Sequence, residues 1–118
     1  MSRVIDIAPL RLRRHLAHLS AQLEVLIDRR AAGKLHPRLG KRTLRALLDE
    51  LVQARRRHER LYGEGADEHR LRFATDEIAV HIEIALEAQD REDFLAALDD
   101  ARRWSDRGAD DQPLMFSR

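Results

Sequence analysis

Cysteine is absent from this chain. That excludes disulfides, thiolate zinc sites and cysteine nucleophiles, and a reducing, cytoplasmic setting is expected. Glycine and proline are scarce, 5 and 3 residues, too few for an all-β chain that must turn many times. Aromatics are equally rare, with three Phe, one Tyr and one Trp, which argues against a platform for stacking successive bases. No uncharged run nears the ~18 residues of a membrane span, and arginines run through the first 30 residues in place of an apolar leader. No membrane association is expected. Gly-x-Ser-x-Gly, His-Glu-x-x-His and Glu-x-x-His are missing, and neither glycine-rich stretch resembles a phosphate loop. The chain therefore reads as a non-enzyme with no cofactor and no metal.

What is present fits one helical domain. The 118 residues are 43% hydrophobic and 36% charged, enough apolar material for a core and too much for wholesale disorder. The net charge of +1 hides a division: residues 1–62 hold 15 Lys and Arg against 6 Asp and Glu, and residues 63–118 hold 7 against 15. Halves of opposite sign attract, within one chain or between chains. Twenty of the 22 basic residues are Arg, beside 16 Ala and 18 Leu, a bias that GC-rich coding also produces.

The hydrophobic period predicts an all-α fold of four helices. The first runs from about Pro9 to Ala32, with Leu12, Leu16, Leu19, Leu23 and Leu26 at heptad spacing and Gly33 as its stop. Residues 33–40 read as a connector. The second helix runs from about Lys41 to Tyr62, with Leu44, Leu47, Leu48, Leu51, Ala54 and Leu61 on one arc. The third spans about Asp67 to Gln89. The fourth, opened by Asp90 and Asp93, reaches about Ser105 with Phe94, Leu98, Ala101 and Trp104 on one side. No Gly or Pro separates the last two, so one kinked helix is the alternative. Short connectors favour an up-down four-helix bundle of two antiparallel hairpins over residues 1–105. A three-helix core crossed by the fourth helix is the other arrangement. Residues 106–118 read as a flexible acidic tail with a hydrophobic end.

The third helix is apolar on two sides. Leu71, Ala74, Ile78, Ile82 and Ala85 form one row, and Phe73, Val80 and Ile84 a second. The first helix has a weaker second row of Leu10, Ala17, Ala21 and Val25. Either the third helix is central or its second row is a homodimer interface.

Polar residues suggest two further features. Arg55 and His58 interrupt the apolar arc of the second helix, and Glu77 and His81 stand a turn apart on the third. An Arg55–Glu77 ion pair is expected, because a buried Arg needs a partner. The four residues read as a structural salt bridge or as a polar pocket for acid–base work, an anion or a metal. Arg42, Arg45, Arg56 and Arg60 share the outer face of the second helix, extended by Arg38 and Lys41 and interrupted by Asp49. Such a row suits a nucleic-acid backbone or an acidic protein surface.

The tail carries Gln112-Pro-Leu-Met-Phe116. This segment resembles the short peptide by which many bacterial replication and repair proteins bind the DNA polymerase sliding clamp. That resemblance implies polar contacts from Gln112 at a pocket rim and entry of Met115 and Phe116 into an apolar cleft. Pro113 stands where Leu is common, and Leu114 where a small or polar residue is usual. The alternative is that Leu114, Met115 and Phe116 fold back onto the bundle. The function expected from these readings is a small helical interaction or adaptor protein with a protein partner, an accessory of a nucleoprotein assembly. A backbone-binding subunit using the second helix is the alternative, and an enzyme or ligand site at Arg55, His58, Glu77 and His81 a third.

Overall fold

The structure, a computed structural model, describes the backbone of residues 7–61 and 66–110 and the side chains of residues 11–60 and 69–110. Four helices follow one another: α1 (Ile7–Ala31), α2 (Pro37–Leu61), α3 (Ala66–Glu87) and α4 (Arg91–Ala109). Among the described residues there is no strand.

Local chemistry sets each boundary. Gly33 adopts φ 73° after α1, a left-handed conformation that costs a residue with a Cβ. Its N–H reaches the Arg30 carbonyl and the Lys34 N–H reaches that of Arg29, the paired bonds of a Schellman stop. Helix α2 starts four residues earlier than the period predicts. Pro37 takes its first position, where no N–H is needed, and the His36 Nδ1 accepts from the Arg38 N–H at 3.1 Å. Gly40 therefore lies inside the first turn of α2, buried against Leu35 and Phe94. Helices α3 and α4 are separate. Asp90 is extended and its carboxylate accepts from the Asp93 N–H at 2.8 Å, which nucleates α4 in place of a kinked continuation.

The helices form an up-down bundle in the ring order α1, α2, α3, α4, with α1 and α3 on a diagonal that barely touches. Leu12, Leu16, Leu19, Leu23 and Leu26 meet Leu44, Leu47, Leu51, Leu71, Ile78, Ile82 and Leu98 in one core. Helix α4 lies close against both α1 and α3, whereas α2 stands further from its two neighbours. The reason is side-chain size. Helix α4 turns Ala97, Ala101, Ser105 and Gly108 inward at spacings of one turn, while α2 presents leucines. The Ser105 hydroxyl is buried and donates to the Ala101 carbonyl at 2.9 Å, so it adds no unmet polar group.

One expectation is corrected here and one alternative is set aside. Helix α4 does not stop at Ser105 but continues through Asp106–Ala109, four residues into the expected flexible tail. Gly108 is buried, and Asp106 accepts from the Ser20 hydroxyl of α1 at 2.5 Å. Helix α3 is not central. It packs on α2 and α4 and leaves its second row outside.

Candidate interaction surfaces

Helix α2 turns its leucines inward, and the opposite side of the same helix carries the arginine row. Arg38, Arg42, Arg45, Arg56 and Arg60 are exposed over a length of about 33 Å at 1.5 Å rise per residue. Among the described residues none of the five guanidinium groups has a hydrogen bond or ion pair. Lys41 does not belong with them. It is half-buried, and its Nζ donates to the Ala88 carbonyl at 2.8 Å, closing the C-terminal end of α3.

The polar quartet does not assemble. Arg55 pairs with Asp76 and with Glu59 (Nε to Oε2, 3.2 Å), and not with Glu77. One residue along a helix turns a side chain by about 100°, so Asp76 faces α2 while Glu77 turns toward α4. Arg72 of α3 returns to Glu59 at 3.6 Å, and the group is an ion-pair seam between α2 and α3. His58 is buried. His81 belongs to the other side of α3, where its Nδ1 donates to the Glu77 carbonyl at 2.8 Å and its Nε2 stands 3.8 Å from Asp100 of α4. Among the described residues no three His, Asp or Glu side chains converge as metal ligands would.

The second row of α3 faces solvent. Phe73, Val80 and Ile84 are 56%, 48% and 50% exposed. Phe73 meets the edge of Trp104 at 5.3 Å between ring centroids, and the Arg107 guanidinium lies 4.8 Å from the Trp104 ring. Beside Ile84 a groove of about 520 Å³ separates α3 from α4, edged by Glu87, Asp93 and Asp100. On the opposite side of the bundle, Val25 and Leu39 are as exposed as the α3 row and border a groove of about 300 Å³ between α1 and α2. Ala17 and Ala21 are exposed as well; the side chain of Leu10 lies outside the described residues.

Burial also shifts one imidazole of α1. His15, on the side of α1 that faces α2, has its imidazole held below the ordinary value of 6.5 by burial, with His18 and Arg57 adding to the effect and Glu50 opposing it. Its Nε2 is buried with no hydrogen-bond partner among the described residues.

Sequence reasoning missed the small-residue face of α4, the ion pair to Asp76 and the groove at Val25 and Leu39. The first had a visible signal, because Ala97, Ala101, Ser105 and Gly108 continue the helical period of Phe94 and Leu98. Gln112, Leu114, Met115 and Phe116 lie outside the described residues. Neither a protein family, nor a curated protein, nor a solved structure matches this chain.

Proposed function

We propose that this chain is a non-catalytic interaction protein that binds another protein through the outer face of α3 and α4. The observation that carries this reading is the exposed row Phe73, Val80 and Ile84. Val80 and Ile84 stand one turn apart beside the groove and Phe73 two turns back against Trp104; large apolar side chains left exposed along one helix mark an interaction surface. The acidic edge of Glu87, Asp93 and Asp100 selects a partner segment with apolar anchors and basic flanks. The test is a pair of variants, Ile84→Ser against Gln53→Ser on the exposed face of α2. Loss of partner binding in the first with an unchanged melting temperature supports the proposal. Unchanged binding, or a melting temperature lowered by several degrees, overturns it.

A second reading rests on a different observation, the five unengaged guanidinium groups along α2. A row of that length follows a phosphate backbone without reading its sequence. Its signature is binding to duplex and single-stranded oligonucleotides alike that falls steeply with salt and weakens with each Arg→Gln change. Binding that is insensitive to salt counts against it. The tail enters only through the resemblance of Gln112–Phe116 to the clamp-binding peptide. On that resemblance the tail tethers the protein and the bundle supplies a second contact.

A further inference from the structure

Helices α2 and α3 together present a face that shares Val80 and Glu87 with the protein-binding face above and Arg45 and Arg56 with the arginine row, and is centred on Val52. Lys41, Arg55 and Glu59 reach α3 from α2, through Ala88, Asp76 and Arg72 respectively. These three pairs set the level of one helix against the other. Val52 is level with Ile78, Arg45 with Ala85, and Arg56 with Ala74. One turn from the contacting residues, toward solvent, α2 carries Arg45, Val52 and Arg56. On α3 the corresponding row is Asp76, Val80, Glu83 and Glu87, again one turn apart and exposed. Apart from Asp49, the α2 residues of this face are thus level, within half a turn of about 3 Å, with a complementary α3 residue: Arg45 with Glu83 and Glu87, Val52 with Val80, Arg56 with Asp76.

We infer that a second copy of this chain covers this face, in a dimer whose two-fold axis runs parallel to the helices between α2 and α3. Such an axis keeps every residue at its own height and places α2 of each copy over α3 of the other. Val52 then meets the second copy's Val80 at the centre, and the cationic rows of α2 lie over the anionic row of α3 on either side. Asp49 is the one acid in the α2 row. The contact is isologous, uses the same patch twice and closes at two chains. It also accounts for the split of charge along the sequence, because a basic α2 and an acidic α3 attract across the axis twice over. Phe73 and Ile84 stay outside this contact, so Ile84→Ser tests the protein-binding face alone, and Arg45→Glu, which lies on α2, tests the dimer without touching that face.

The experiment is sedimentation of the full chain at tens of micromolar, in low and high salt. The expected species is twice the 13.7 kDa chain mass in low salt, dissociating as salt shortens the screening length below about 10 Å. Arg45→Glu in one variant, and Glu83→Arg with Glu87→Arg in another, each juxtapose like charges. Each is expected to weaken the dimer on the order of tenfold or more. Mixing the two variants, or combining all three changes in one chain, restores the dimer, because a two-fold contact needs each chain to bring both rows. Circular dichroism confirms that these exposed substitutions leave the helices folded. A chain that stays at 13.7 kDa at every concentration overturns the inference. So does a dimer indifferent to both reversals, or an open ladder of larger species.

Discussion

Gly108 decides between a flexible spacer and a packed helix end. A Cβ at this position would stand 2.4 Å from the Leu16 Cδ1 and 3.2 Å from the Ala74 Cβ. Leu16 is fully buried and Ala74 nearly so, so neither has open solvent to retreat into. Gly108→Ala gains helix propensity, at most about 1 kcal/mol and less in a last turn. Overpacking of this kind costs about 1–3 kcal/mol. The steric term wins, and a net loss of roughly 0.5–2 kcal/mol is expected, a fall of about 2–10 °C in melting temperature for a chain of this size. Gly108→Val, which lacks the propensity gain, loses more. In a Leu16→Ala background the obstructing methyl is gone, and Gly108→Ala becomes neutral or stabilising, a non-additivity that ties the effect to this one contact. Thermal melts of the four variants, single and combined, measure the cycle. A Gly108→Ala protein as stable as the parent, with additive behaviour in the double variant, refutes the packed helix end.

Further outcomes follow from other residues. Gly33→Ala has open space around its Cβ but must hold φ 73°, so it costs about 1–2 kcal/mol in chemical denaturation, and Gly33→Asn costs less. An equal loss from both is inconsistent with a left-handed stop. Because the His15 imidazole is held below 6.5 when folded, the unfolded chain takes up its proton first. Stability is therefore whole above about pH 6.5 and is lost as pH falls from there through the folded value. His15→Gln flattens the fall in melting temperature between about pH 7 and pH 5; an unchanged slope refutes this. Phe116→Ala is expected to abolish binding to a sliding clamp in a direct titration, and undiminished binding removes the clamp from consideration.

Much of the fold was legible in the sequence because the information is local. The heptad leucines of α1, the core row Leu71, Ala74, Ile78, Ile82 and Ala85 of α3, the Gly33 stop and the Asp90 cap each act within a few residues of their own position. A helical period and a cap need no knowledge of the neighbours. The doubled apolar face of α3 was legible too, but not its fate. Whether a second row is buried depends on how many helices surround it, and ring order is a property of the whole bundle.

The tertiary structure alone decided four things. It gave Arg55 to Asp76 in place of Glu77, because a single residue turns a side chain from one neighbouring helix to the other. It drew Lys41 out of the arginine row and onto the Ala88 carbonyl, because the end of α3 arrives there with an acceptor to satisfy. It buried His58 on α2 and turned His81 of α3 toward Asp100 of α4. It also made Gly108 a packing residue, although glycine near a chain end reads locally as a break. Glycine suits that position because Leu16 of α1 and Ala74 of α3 crowd the place of a Cβ, and the closeness of two surfaces distant in sequence is written in neither one alone.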